Sequence, residues 1–245
     1  MELNNALGLP LVKGATALVG GGGKTSLMYA LSREYADAGL SAIISTTTRI
    51  GEPPPEKARL IEKNDPAASG PLAVSGEVVC IGEWRDTEKL GYPGNELWRR
   101  ALGEADRVFT EADGAKRLPV KAPADHEPCL DFEGIDTVVG VAGLGAMGKA
   151  LEEVGFRLEI VCRLLSAAPE ALLTPEMLAF LLTSPQGQFK NVGSKERYRV
   201  FLNQADNDGA TALGRETARY IKSFMPGCRV VIGALEPSPR IVDIL

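Results

Sequence analysis

A glycine-rich segment that ends in lysine, threonine and serine carries the clearest chemistry in the sequence. It reads Gly20-Gly21-Gly22-Gly23-Lys24-Thr25-Ser26 and stands between an apolar run and an amphipathic helical pattern. This is the context of a phosphate-binding loop, in which glycines allow a tight turn and backbone N–H groups point at phosphate oxygens. We expect Lys24 to reach the β- and γ-phosphates of a nucleotide and Thr25 to ligate Mg²⁺. A glycine-rich turn that only begins a helix is the structural alternative.

Two carboxylates follow a second apolar run, where a Mg²⁺ ligand of such a site is needed. The segment Val108–Gly114 contains Glu-x-x-Gly, which parallels the Asp-x-x-Gly of many GTPases. In those proteins the acid reaches Mg²⁺ and the glycine approaches the γ-phosphate. We therefore expect Glu111 to hold the metal, and Asp113 to act as a relay or water-orienting base. With Lys24 they form the predicted catalytic set, and an acidic turn without a ligand is the alternative.

A third pattern bears on the nucleobase. Asn203-Gln204-Ala205-Asp206 is similar to the Asn-Lys-x-Asp base-reading motif of GTPases, with glutamine in place of lysine. The Asp206 carboxylate could accept hydrogen bonds from N1–H and the 2-amino group of guanine, and adenine offers neither. Asn203 would fix the loop, and Ala234 stands where GTPases place a backbone N–H against guanine O6. The pattern favours GTP over ATP, and an ordinary Asx turn is the alternative.

Polar residues elsewhere predict a second, anionic substrate such as a pterin phosphate or an oxyanion. Hydroxyls at the carboxyl end of a parallel strand lie in the crevice where ligands bind, and clustered cations suit anions. Thr47 could also touch the γ-phosphate or Mg²⁺, and Arg49 could neutralise developing charge. The alternatives are ordinary β-propensity for the threonine, a solvated charged surface for the cations and a structural role for the histidine. The candidates are Thr47, Arg49, Lys116, Arg117, Lys121 and His126.

Alternation of strands and helices predicts how these residues are positioned. Continuous apolar strands separated by helices are typical of a parallel sheet covered on both faces. The predicted strands are Ala15–Val19, Ala42–Ser45, Val78–Ile81, Val108–Thr110, Thr137–Val141, Arg199–Leu202 and Arg229–Ile232. The predicted helices are one after Gly23 with the stripe Leu27, Leu31, Tyr35 and Ala38 and a cap at Gly39, then Asn95–Leu102, Pro175–Thr183 and Thr211–Phe224.

The fold class predicted from this pattern is α/β, a three-layer P-loop NTPase-like fold with a mostly parallel central sheet. We expect one domain over residues 1–245, with a loop-rich insertion around 114–134. The proline-rich stretch Glu52–Ala68 predicts an exposed loop ending in a short edge strand. A loop of the length of 114–134 inside a compact domain is usually functional or disordered.

Composition narrows the class of protein further. The chain has 245 residues, of which 44% are hydrophobic and 24% charged, and a formal net charge of −5. That charge argues against nucleic acid or an anionic membrane as a partner bound through bulk charge. Four dispersed cysteines and a single histidine predict no zinc centre. No apolar run is long enough to span a bilayer and no secretory signal is visible, so we expect a cytoplasmic protein.

Several segments together resemble the YqeC family, described as accessory proteins of selenium-dependent molybdenum hydroxylases. The resemblance implies a nucleotide-binding protein that helps to mature a molybdenum-containing hydroxylase, with the apo-enzyme or its cofactor as partner. The matching segments are Gly20–Thr25, Glu111–Lys116, Lys121–Pro123, His126–Pro128, Val141–Lys149, Leu173–Glu176 and Leu202–Asp206.

Three functions remain open at this point. The leading interpretation is a Mg²⁺-dependent protein that binds and hydrolyses a nucleoside triphosphate, favouring GTP, during hydroxylase maturation. The shortened loop spacing, of the sort seen in Mur-type ligases, also permits a small-molecule kinase or ligase that uses ATP. The third is a non-catalytic, nucleotide-gated chaperone for the cofactor. The sequence does not rank hydrolysis against phosphoryl transfer.

Overall fold

The computed structural model describes residues 2–245 and contains seven α-helices and thirteen strands in that range. The helices are α1 (Glu2–Leu7), α2 (Lys24–Asp37), α3 (Asn95–Glu104), α4 (Leu151–Val154), α5 (Leu158–Leu165), α6 (Pro175–Thr183) and α7 (Asp208–Phe224). The strands are β1 (Ala15–Gly20), β2 (Ala42–Thr46), β3 (Arg49–Gly51), β4 (Arg59–Glu62), β5 (Val78–Trp84), β6 (Lys89–Gly91), β7 (Arg107–Glu111), β8 (Val120–Lys121), β9 (Ile135–Gly143), β10 (Gly155–Phe156), β11 (Tyr198–Asn203), β12 (Arg229–Ala234) and β13 (Arg240–Ile244).

The main sheet sets which strand ends meet. Its order is β13-β12-β11-β9-β1-β7-β2-β5-β6-β3, and β4 pairs with β5 outside this path. The strands from β12 to β5 run parallel, whereas β13, β6 and β3 pair antiparallel. The carboxyl ends of β1, β7, β9 and β11 therefore meet at one edge of the sheet.

Helices cover both faces, because successive residues of a buried strand point to opposite sides. In β1, Leu18 packs into a cluster with α1 and α2, and its neighbours Ala17 and Val19 pack into the cluster on the other face. The second cluster includes side chains of α3, α6 and α7. The predicted α/β, three-layer architecture with a mostly parallel sheet is confirmed.

The predicted strands and helices are all present, and each strand is longer than predicted. The prediction that Ala38 belongs to the buried stripe is wrong. α2 ends at Asp37, and Ala38 lies beyond it and is exposed. Gly39 follows with φ +75°, as a helix-terminating glycine does.

Two stretches predicted as loops contain short strands. The strand expected in Glu52–Ala68 is present as β4, although it lies inside the stretch and not at its end; it pairs with β5, and its Ile61 is fully buried. Within 114–134, only the two-residue β8 is regular, and it pairs with β10. Among residues 2–245, no helix has the length and apolar character that crossing a bilayer requires.

Candidate nucleotide-binding site

A large cavity lies at the carboxyl edge of the sheet. Its volume is about 1210 Å³, and its walls come from the loop after β1, the start of α2, β3, the end of β7, the 114–119 segment and the ends of β11 and β12. Most of the predicted site residues line it. They are Gly21, Gly22, Gly23, Lys24, Thr25, Ser26, Arg49, Glu111, Lys116, Arg117, Asn203 and Asp206.

The glycine-rich loop is tightly enclosed, which explains its composition. Gly22 and Gly23 have φ of +71° and +124°, conformations that residues with a side chain rarely adopt. A Cβ at Gly22 would lie 2.2 Å from the backbone nitrogen of Gly143, and one at Gly21 would lie 2.4 Å from the carbonyl oxygen of Leu118. Glycine is therefore required here by both backbone conformation and space.

Backbone donors of the loop divide into two groups. The N–H groups of Gly21 and Gly22 donate to the carbonyl oxygens of Val141 (3.0 Å) and Leu118 (3.2 Å). The first N–H groups of α2, from Lys24 onward, begin the helix and have no carbonyl four residues earlier within it. They lie at the cavity and carry the positive end of the helix dipole, which favours an anion.

Lys24 is held by acidic neighbours at the bottom of the cavity. Its Nζ donates to the carbonyl oxygen of Gly20 at 2.6 Å and lies 3.2 Å from Asp113 Oδ1 and 3.9 Å from Glu111 Oε2. Burial alone would lower the pKa of Lys24, but the two carboxylates outweigh it and raise that pKa. The ammonium group is therefore charged and already faces the loop.

Glu111 and Thr25 converge on one point. The Thr25 hydroxyl donates to Glu111 Oε1. Burial raises the pKa of Glu111, although Lys24 and the Thr25 hydroxyl act in the opposite direction. A hydroxyl and a carboxylate in contact beside a candidate phosphate site fit Mg²⁺, which is usually bound by few protein groups plus water and phosphate.

Asp113 has a different environment from Glu111. Its carboxylate is almost completely buried and accepts the Gly20 N–H at 2.9 Å. The same carboxylate lies 2.9 Å from Lys121 Nζ as well as 3.2 Å from Lys24. Asp113 thus connects the loop to a buried ionic network, and it does not line the cavity.

The network continues away from the cavity through residues 121–157. Lys121 is fully buried and lies 2.5 Å from Glu127 Oε2, which also pairs with Arg157. Burial alone would raise the pKa of Glu127, but the two cations outweigh it and lower that pKa to about 2. Burial lowers the pKa of Lys121 against the opposing effect of Asp113 and Glu127.

The predicted base-reading residues stand at the other end of the cavity. The Asn203 amide donates to the carbonyl oxygen of Gly22 at 2.8 Å, and its buried Oδ1 has no partner among residues 2–245. Gln204 has φ +69° and accepts the Gly145 N–H at 3.2 Å, which ties this loop to the end of β9. The Asp206 side chain is exposed on the cavity wall.

The structure does not bring six predicted residues to the cavity wall, and buried Asp113 is one of them. Gly20 and Ala234 are buried in strands, and the Thr47 hydroxyl donates to the carbonyl oxygen of Cys129 at 3.1 Å. Lys121 is enclosed by carboxylates. His126 lines a separate depression with Cys129.

Other residues that the sequence did not single out also line the cavity. Lys89, Lys149, Tyr29 and Glu236 are among them. Lys149 ends one of the segments that carried the family resemblance, so a signal for it was present. Lys89 had none, because it belongs to a three-residue strand with no apolar pattern of its own.

A glycine-rich loop between a buried parallel strand and a helix, at the carboxyl edge of a three-layer sheet, defines a P-loop NTPase-like α/β protein. The chain belongs to the YqeC family, whose model, described as YqeC protein, matches residues 16–159. It is also similar to the uncharacterized protein YqeC of Escherichia coli (strain K12). The identity is 29% over 194 residues, which cover 77% of this chain and 75% of that protein. The resemblance found in the sequence is confirmed.

Proposed function

We propose that the protein binds a nucleoside triphosphate with Mg²⁺ and hydrolyses it. The observation that carries this proposal is the convergence of four features on one cavity: the glycine loop, the first turn of α2, Lys24, and the Thr25–Glu111 contact. In this arrangement the γ-phosphate replaces the carboxylates as the partner of Lys24. Mg²⁺ supplies charge neutralisation between the phosphates, and Thr25 and Glu111 are the residues that would hold it.

The nucleobase end of the cavity supports guanine. Asp206 is on the wall with an exposed carboxylate, and the adjacent Asn203 is fixed to the phosphate loop by its bond to Gly22. A carboxylate in that position accepts two N–H groups from guanine. Adenine presents no equivalent donor pair, so we propose GTP as the preferred nucleotide.

The biological role proposed here follows from the family resemblance. We propose that the nucleotide state of this protein assists maturation of a molybdenum-containing, selenium-dependent hydroxylase in the cytoplasm, with the apo-enzyme or its cofactor as partner. Retention of such an apo-hydroxylase by the GTP-loaded protein, and not by the nucleotide-free protein, would support this role. Equal retention in both states would contradict it.

The Lys24→Ala variant tests nucleotide binding. At 100 times its Kd, GTP with Mg²⁺ should add about 2.7 kcal/mol of stability to the wild type, or ~5–10 °C in melting temperature. The variant should lose this shift, because Lys24 is the buried cation facing the loop. The shift is measured relative to each protein without nucleotide, since removal of Lys24 also leaves two carboxylates less well paired.

Lys195→Ala is the matched control, because Lys195 is an exposed lysine in the turn before β11, at the opposite edge of the sheet. It should retain the full nucleotide-dependent shift. A folded Lys24→Ala protein that GTP stabilises as much as wild type would show that this loop does not bind phosphate.

A further inference from the structure

The cavity extends on both sides of the phosphate loop. In the sheet, β11 lies two strands from β1 on one side, and β7, β2 and β5 follow β1 on the other. Neighbouring strands are ~4.8 Å apart, so a nucleotide that runs from Lys24 to Asp206 occupies the β11 side. The region beyond Glu111 stays outside the nucleotide, on the side of its γ-phosphate.

That region is bounded by the β3–β6 ribbon. These strands pair antiparallel with Arg49 opposite Gly91 and Gly51 opposite Lys89. Ile50 and its partner on β6 are buried, so the alternate positions Arg49 and Lys89 face the cavity. Gly51 leaves the surface between them open, since a Cβ there would meet only Lys89 Nζ, at 3.8 Å.

The cations of this ribbon are poorly neutralised by the protein. Lys89 is half-buried and forms no salt bridge with any residue in 2–245. Arg49 has only an exposed pair with Asp86 at 3.6 Å, and such pairs contribute little. Lys89 acts on the Glu111 carboxylate only at longer range than a salt bridge. A half-buried lysine without a directly paired carboxylate favours binding of an anion from solution.

The charge and the backbone conformation of residues around the cavity also favour binding of an anion. Six lining residues are lysine or arginine and four are aspartate or glutamate, although the whole chain carries a net charge of −5. Lys116 and Arg117, which also line the cavity, have φ of +47° and +65°. Such conformations cost energy in residues with side chains and cluster at ligand sites.

We propose that the β3–β6 ribbon binds the oxyanion group of a second, small-molecule substrate, with Arg49 and Lys89 as its ligands. The site lies beyond Glu111 on the γ-phosphate side of the nucleotide. This inference rests on the proposed nucleotide site, which defines the occupied half of the cavity. The chemistry recognised is a phosphate or carboxylate group on a small molecule.

The test first saturates the full-length protein with Mg²⁺ and a non-hydrolysable GTP analogue, so that the loop no longer binds free anions. Calorimetric titration then follows with inorganic phosphate in one arm and succinate in the other, which separates phosphate from carboxylate recognition. At least one arm should show saturable binding. Lys89→Met and Arg49→Met should each weaken it about tenfold, the effect of one lost charge-assisted contact.

Controls separate this inference from the nucleotide proposal. The analogue should bind both variants within about twofold of wild type, and Lys195→Met should change neither titration, since it removes a distant exposed cation. Normal binding of the analogue with no saturable anion binding, or with anion binding unchanged in both variants, would overturn the second site alone. Failure of the analogue to bind wild type in the first titration would overturn the nucleotide proposal, and this inference with it.

Discussion

At the scale of single residues, two neighbouring carboxylates have separate environments. Glu111 contacts the Thr25 hydroxyl on the cavity wall, whereas Asp113 is enclosed by the Gly20 N–H, Lys24 and Lys121. Three donors around one buried carboxylate are typical of a positioning group. We therefore propose Glu111 as the metal ligand and Asp113 as the residue that orients Lys24.

Glu111→Gln tests this difference. The amide preserves shape and removes the charge facing the metal, so GTP affinity without Mg²⁺ should change little. The gain in affinity on adding Mg²⁺ should fall about tenfold or more, because a charge-assisted contact contributes ~1.5–3 kcal/mol. Nucleotide titrations with and without Mg²⁺ measure both quantities.

Asp113→Asn is the companion variant and should mainly lower the melting temperature, since Lys24 and Lys121 both lose a charged partner. If Asp113→Asn loses the Mg²⁺ dependence and Glu111→Gln keeps it, the two assigned roles must be exchanged.

Glu127 makes stability depend on acid pH. Its pKa is about 2 in the folded protein, set by Lys121 and Arg157, against 4.5 for an ordinary glutamate. A lowered folded pKa gives stability that is present above pH 4.5 and lost as pH falls towards 2. The difference in pKa corresponds to about 3 kcal/mol. The raised pKa of Glu111 has the opposite effect on stability. Protonation of Glu111 favours the folded state, so this contribution is lost as pH rises.

Comparison of wild type with Glu127→Gln isolates this contribution. Denaturant unfolding at intervals from pH 6 to 2 should show the variant less stable at pH 6, with the difference shrinking below pH 4.5. The variant lacks the titrating group but retains Glu111, so the Glu111 effect cancels in the difference. A constant difference across this range would mean that Glu127 is not held ionised by its neighbours.

At the scale of elements, long buried strands could be predicted from the sequence, whereas very short strands and a half-exposed helix could not. Parallel strands such as β1 and β9 are buried on both faces, so their continuous apolar runs are visible in the sequence. The three-residue β3 and β6 are too short to show such a run, and β6 is held by pairing with both β3 and β5. The half-exposed α5 was missed since only its Val161 is fully buried.

The candidate site shows the same division. Residues 20–26 were predictable because loop and helix are contiguous, and their conformation follows from glycine and from the helix start. Lys121 and His126 follow the carboxylates in sequence, yet Lys121 turns inward to Asp113 and Glu127, and His126 faces a separate depression. Sequence proximity does not give side-chain direction in a segment without regular structure.

At the scale of the whole molecule, the proposed nucleotide site combines parts of the chain that are far apart in sequence. Lys24 follows β1, and Asp206 follows β11, two strands away along the sheet edge. The Asn203 bond to Gly22 joins the two ends directly, at 2.8 Å. In the proposed arrangement Asn203 therefore couples the two ends, whereas Asp206, which has no bond to the loop, can be altered without disturbing the phosphate end.

Asp206→Asn tests the base end alone. In the proposed arrangement the Asp206 oxygens accept N–H groups from guanine N1 and the 2-amino group, each contact contributing ~1.5–3 kcal/mol. Xanthine has a carbonyl at position 2, which opposes a carboxylate but accepts a bond from an amide. The variant should therefore lose affinity for GTP about tenfold or more and gain affinity for XTP. Because Asp206 is exposed, the substitution should leave the melting temperature without nucleotide unchanged.

Competition among GTP, ATP and XTP for wild type and for Asp206→Asn measures this base preference. A wild type that prefers ATP, or a variant with undiminished GTP affinity, would reduce residues 203–206 to a turn beside a general phosphate site, whereas loss of both GTP and XTP would indicate damage to the fold.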